Sequence, residues 1–318
     1  MNLILLLPED LSPDSTTATL IDSRRCNHIH TVLHPSPGFT IQVGLLNDKI
    51  CTATVLSCSP KVVELRLPSR DDSAAWRNPP KKLPFTLVLA LPRPKVLDRV
   101  VLAAASLGVK SLILIPAWRV EKSYWGSPKT QPARLREQVL LGLEQACDTV
   151  EMTIEKVERF APWVRSWTDK PQGRRFFAHV EGGRECPYNI LSANSDGDNL
   201  TQEDEGEGVV AVIGPEGGWV PSEVDALTEA GFDCVGLGPR ILRTETAVAC
   251  LEWERSFDQR AVVLLAVCIN GMVDACGRPS ENACPLTLYF PFKLGNAMPT
   301  ECVGLAGGLV VRHSLSWN

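Results

Sequence analysis

No apolar run in the sequence approaches the ~20 residues that a membrane-spanning helix requires. Its eleven cysteines include no CxxC pair and lack the dense spacing of a disulfide framework. Free, mostly buried thiols in a reducing compartment fit that pattern. There is no GxxxxGK[ST] and no GxGxxG opening a helix, so two phosphate-binding loop classes drop out. No internal repeat is present. Net positive charge is also missing: the formal charge is −5, which gives no general indication of nucleic acid. The opening MNLILLLPED is apolar for only a few residues and lacks a basic leader. It reads as a first strand rather than a signal peptide. The expected location is the cytoplasm, or an organelle, with no membrane partner.

What is present is a globular composition, 44% hydrophobic and 22% charged, over 318 residues, enough for two domains. Residues 1–70 alternate short β-like runs with turns: NLILLL, FTIQVG, KICTATVL and KVVELRL. Asn47-Asp48 suits a hairpin turn between two of them. The Pro-, Asp- and Ser-containing stretch PSRDDSAAWRNPPKK reads as a linker, set at 71–83. Over 84–257 the pattern becomes alternating strand and helix. FTLVLALP has the continuous apolar character of a buried parallel strand. KVLDRVVLAAASLG has helical period and stops at Gly108, and VKSLILIP is the next strand, completing a βαβ unit. Helices PARLREQVLLGLEQAC, PSEVDALTEAG and TETAVACLEWERSF follow, with strands RRFFAHVE, GVVAVIG and CVGLG. Ser222 and Asp225 stand at capping-box spacing, and Thr244 is a natural N-cap. Residues 192–208 hold six acids and no base and read as a surface loop; 258–318 form a tail with eight charges and no motif.

Three glycine bends follow apolar strands: HVEGG (179–183), IGPEGG (213–218) and GLGPRILRTET (236–246). Glycine lets backbone approach a ligand and takes positive φ without strain. Bends after parallel strands lie at the carboxyl edge of the sheet, where α/β folds bind ligands. Together they could enclose a small polar molecule; singly, each is an ordinary strand–helix turn. Glu216 would repel a polyphosphate and suits a cationic ligand better. Residues 81–150 hold eleven Lys/Arg against five Asp/Glu, a segment that could face phosphates or simply be a solvated face. His28 and His30 have no third ligand near, so no metal site is expected.

The segment AVIGPEGGWVPSEVDALTEAGFDCVGLGPRILRTETAVAC resembles the knotted core of the RsmE family, bacterial-type methyltransferases that modify uridine N3 in 16S ribosomal RNA and belong to the SPOUT class. LEQACDT (143–149) resembles the family's intermediate helix motif, and HIHTVLHPSPGFTIQVG its N-terminal PUA-like domain. The chain departs from the family at His34, where a basic residue is usual, and at Ser106, where Glu is usual. The resemblance implies an α/β fold: a SPOUT trefoil-knot domain with a parallel sheet, preceded by a small PUA-like β-barrel that binds RNA. It implies S-adenosyl-L-methionine as methyl donor, small-subunit ribosomal RNA as substrate, and a homodimer. Donor-binding positions carried over are Gly182, Gly214, Glu216, Gly217, Gly218, Leu237, Gly238, Ile241 and Leu242. Glu216 either favours the donor's positive charge or caps a turn. Arg243 could bind uracil oxygens, and Glu245 could take the N3 proton or orient Arg243; a structural Arg243–Glu245 ion pair is the alternative. Arg24, Arg25, His28, Arg93, Lys95 and Arg240 are candidate RNA contacts. A non-catalytic RNA-binding assembly factor and a SPOUT enzyme with another RNA target are the competing functions.

Overall fold

A computed structural model describes residues 2–170, 174–179, 208–236 and 242–253. The first sheet comprises β1 (Ile4–Leu6), β2 (Thr17–Leu20), β3 (Thr40–Leu45), β4 (Ile50–Cys58), β5 (Val63–Arg66) and β6 (Trp76–Arg77). The order is β1-β3-β4-β5-β2, with β6 on β4; only β1–β3 is a parallel pair. Alternation dictates the faces: Val63 and Leu65 of β5 are buried, while Glu64 and Arg66 are exposed. The β3–β4 turn is the expected one, with Asn47 at φ 60 and the Asp48 amide donating to Leu45 O at 2.9 Å. Between β2 and β3 lies a helix that the β-rich reading did not anticipate: α1 (Ser23–His28), capped by the Asp22 carboxylate. It continues as a π-helical turn, Ile29–Leu33, which ends at His34 with φ 45.

Part of the expected linker belongs to this sheet. Trp76 is 7% exposed within the first core, its indole donates to Ser69 O at 3.0 Å, and the Arg70 guanidinium lies 4.2 Å from its ring centroid. A buried aromatic of that size anchors the strand in spite of its polar neighbours.

The second sheet is parallel throughout: β7 (Leu83–Ala90), β8 (Val109–Ile115), β9 (Thr153–Lys156), β10 (Arg175–Ala178), β11 (Val209–Ile213) and β12 (Asp233–Val235), ordered β12-β10-β11-β7-β8-β9. The accompanying helices are α2 (Pro94–Ser106), α3 (Lys122–Trp125), α4 (Pro132–Ala146), α5 (Phe160–Arg165), α6 (Pro221–Glu229) and α7 (Thr244–Trp253). Leu87 and Leu89 face the core built with Leu97, Val101, Leu135 and Val139 of α2 and α4. Val88 and Ala90 face the opposite core, with Trp163, Phe177, Val212, Leu227 and Phe232. Both faces of β7 are therefore dry, which is why its sequence is apolar without alternation.

α2 and α4 pack at Gly142, where a Cβ would lie 2.6 Å from Leu102 O and 2.7 Å from Ala105 Cβ. Ser106 supports the same contact, donating to Leu102 O at 2.8 Å and Gly142 O at 3.2 Å. The LEQACDT stretch holds the two sheets together. The buried Glu144 carboxylate accepts both guanidinium nitrogens of Arg24, at 2.7 and 3.2 Å, and Glu144 O accepts the Leu3 amide at 3.1 Å. Cys147 ends α4 in the left-handed region, at φ 54. Asp148 pairs with Lys82 at 2.8 Å, and the Asn47 amide donates to Thr149 O at 2.8 Å.

Candidate functional site

β7 and β11 are neighbours in the sheet, yet the chain leaves β7 toward β8 and leaves β11 toward β12 on the other side of β10. Strand order reverses there, and a crevice opens beyond the carboxyl ends of such a pair. The loops that meet at this edge follow β7 (Leu91–Arg93), β8 (Pro116–Val120) and β11 (Gly214–Gly218), with His179 after β10 and Gly236 after β12.

The β11 loop is shaped by close approach. A Cβ on Gly214 would stand 2.8 Å from the Trp219 ring, and the Trp219 indole donates to Ala178 O at 3.1 Å, joining the ends of β10 and β11. A Cβ on Gly217 would stand 3.1 Å from Arg119 Cδ. Gly218 has φ +75, and its amide donates to Pro215 O at 2.8 Å. The left-handed conformation and the two tight approaches account for glycine at these positions.

Side chains fix the loops to one another. Glu216 Oε1 accepts the Arg93 backbone amide at 3.0 Å, so the carboxylate caps the entry to α2 and ties the β11 loop to the β7 loop. Arg119 donates to Gly217 O, linking the β8 loop. Glu223, 6% exposed, accepts the Trp118 amide at 2.7 Å and the Val220 amide at 3.0 Å. The cap of α6 is therefore Val220 with Glu223, rather than the expected Ser222 with Asp225: Pro221 occupies the first turn, and the buried carboxylate turns back onto Val220. Tyr124 lies beside Glu121 and Arg93, and its phenol is pushed up by desolvation and by the Glu121 charge.

The second half of the site begins at α7. Leu242 packs against the larger core, Arg243 is exposed and Thr244 is buried. The Ala247 amide donates to Arg243 O at 2.8 Å, which makes Arg243 the cap residue and Thr244 the first helical one, a shift of one residue from the expected cap. In place of the alternative Arg243–Glu245 pair, Glu245 Oε1 meets Arg99 Nη2 at 3.1 Å, joining α7 to α2. Arg99 precedes Glu245 by 146 residues, too far apart in sequence for spacing to announce the pair. Gly182, Leu237, Gly238, Arg240 and Ile241 lie outside the described residues.

Candidate RNA contacts divide. Arg93 and Lys95 are exposed at the crevice edge. Arg25 is not available: its guanidinium is buried against Asp10 at 2.6 and 3.2 Å and Leu5 O at 2.8 Å. A guanidinium buried in such a pair is closed off from RNA. Arg24 is committed to Glu144. His28 lines an open groove of about 560 Å³ with Arg24, Asn27, Thr31, Val32 and Pro60, and burial, with Arg24 adding, pushes its imidazole below the ordinary range. Among the described residues no group of three metal-ligating side chains occurs, five cysteines are free, and no helix is long and apolar enough to cross a membrane.

Comparison with known proteins agrees with this geometry. The chain is 29% identical over 253 residues to the ribosomal RNA small subunit methyltransferase E of Treponema pallidum, covering 79% of this chain and 88% of that protein. It is 25% identical over 256 residues to the protein of the same name from Mycobacterium bovis, covering 77% and 88%. The fold matches the crystal structure of the Neisseria gonorrhoeae enzyme of that name bound to S-adenosyl methionine, with a TM-score of 0.58 at 23% identity, covering 80% of this chain and 95% of that one. Residues 79–252, more than half the chain, match the family described as RNA methyltransferase domain, and they span the second sheet and the crevice at its switch point; the chain belongs to that family.

Proposed function

We propose that this protein methylates N3 of a uridine in small-subunit ribosomal RNA, with S-adenosylmethionine as donor. The observation that carries the reading is the Gly214–Gly218 loop at the β7–β11 switch point. Its backbone is bare where a Cβ would clash, and it is held in place from the β7 loop by Glu216. The two relatives named for ribosomal RNA small subunit methylation support the substrate class. The RsmE-like motifs support uridine N3, a knotted core, a PUA-like RNA-binding domain over residues 1–70 and a homodimer.

The glycine loop fits the donor's polar parts, which backbone groups of Gly214, Gly217 and Gly218 would hold, with Leu242 on the apolar side. Bound there, S-adenosylmethionine supplies an electrophilic sulfonium methyl group. The chain's own contribution is position and charge. Holding the two reactants in line accounts for a large part of such a rate. Once its N3 proton has passed to water, the uracil ring would carry negative charge on N3 and the flanking carbonyl oxygens, which gaining the methyl group would neutralise. Arg243, exposed at the cap of α7, is the donor we assign to that charge. Glu245 anchors α7 through Arg99 and so sets where Arg243 stands. With Glu216 bonded to the Arg93 amide, the turn-capping role accounts for that carboxylate without a charge on the donor.

The test is incubation of the purified chain with S-adenosylmethionine and unmodified small-subunit RNA, followed by nucleoside mass spectrometry. 3-Methyluridine is the expected product. A methylated product of another kind would leave the fold reading intact and overturn the position. No S-adenosylmethionine binding by calorimetry would overturn the enzyme reading altogether.

A further inference from the structure

Trp118 stands on the β8 loop with 82% of its surface exposed. Its backbone is nevertheless fixed: the amide is held by the buried Glu223 carboxylate at 2.7 Å, and the neighbouring Arg119 side chain donates to Gly217 O in the glycine loop. An indole left in water on an anchored loop pays little ordering entropy when a partner covers it. We propose that Trp118 is a stacking platform for an unpaired base of the RNA substrate, beside the base that is methylated. The inference rests on the methyltransferase reading given above.

The surroundings favour a nucleic-acid base over an apolar partner. Exposed Arg93, Lys95, Arg119 and Lys122 belong to the same two loops and the helix starts that follow them, four cations against the one exposed carboxylate there, Glu121. The other large exposed hydrophobics among the described residues, Ile21, Val32, Phe39 and Val62, all belong to the first-sheet region. Among the described residues of the second-sheet region, Trp118 is thus the one large hydrophobic left this exposed, unlike the contiguous apolar patch that marks a protein interface. A single aromatic face on a net positive edge is the arrangement that grips single-stranded RNA, stacking the base and neutralising the phosphate.

Steady-state methylation with full-length protein, S-adenosylmethionine and a small-subunit RNA fragment tests the proposal, together with fluorescence anisotropy on the same fragment. Trp118→Ala is expected to raise the RNA KM and the anisotropy Kd by about 5- to 150-fold, the range for loss of one stacked base. S-adenosylmethionine affinity and melting temperature should stay at the parent values. Trp118→Phe should stay near the parent, and Trp118→Leu should behave like Ala. An unchanged RNA Kd in Trp118→Ala overturns the platform, as does a Leu variant as good as Phe. A fall in sedimentation coefficient in Trp118→Ala would also overturn it, making the residue a contact between copies. A parent protein that binds the fragment but transfers no methyl group would fail the enzyme reading instead, and the anisotropy series would still decide Trp118.

Discussion

Arg243 combines two properties: its backbone closes the first turn of α7, and the residue is exposed. Replacing the side chain leaves the backbone cap in place, so structure and chemistry separate. Arg243→Ala should keep S-adenosylmethionine affinity within several-fold and lose ~10²–10³ in methyl transfer, the usual effect of removing one donor to a developing anion. Arg243→Lys should recover little, since an ammonium lacks the planar fork. Single-turnover kinetics and calorimetry measure the two quantities. Equal loss of donor binding would move Arg243 into the cofactor site. The Gly214–Gly218 loop was legible, because glycine beside a carboxylate after an apolar strand is a local pattern. What those residues touch was not. Glu216 reaches Arg93 across 123 residues and Glu245 reaches Arg99 across 146. Arg25, basic and close to other basic residues, looked like an RNA contact in sequence and is buried against Asp10.

At the scale of elements, α2 against α4 is the contact with least tolerance. Gly142→Ala sets two opposing effects against each other. Alanine improves helix propensity by ~1 kcal/mol. The added methyl would meet Leu102 O at 2.6 Å, a backbone atom that moves only with its helix. Overpacking of that kind costs ~1–3 kcal/mol and should outweigh the gain. Urea denaturation of Gly142→Ala is expected to show net destabilisation; a stabilised variant would mean the helices separate freely. The long elements could be read from the sequence: β7 by its unbroken apolar run, α2 by its period and by Gly108. The short ones could not. α1 spans six residues, Ser23–His28, with a charged sequence and no room for a helical period. β6 spans two residues, and only its pairing with β4, anchored by the buried Trp76, makes it a strand.

At the scale of the molecule, the family match ends at residue 252, and residues 258–318 carry eight charges and no motif. A chain cut after residue 257 should therefore stay soluble, keep its melting temperature within a few degrees and still bind S-adenosylmethionine. An insoluble product from this truncation, beside a stable full-length protein, would assign the tail a part in the fold.

The strand order also carries a consequence for how the chain is made. β7 leads the second sheet in sequence, yet one of its two neighbours, β11, is among the last strands synthesised. Until residues 209–213 leave the ribosome, the β7 edge that will receive them has only water or another chain to pair with. An apolar parallel strand in that condition is prone to aggregate. Contacts this distant along the chain also slow folding, because loop closure precedes the stabilising pairing. The crevice should therefore appear late and all at once. In a series of stalled nascent chains, donor binding should be absent at every length that stops short of β11.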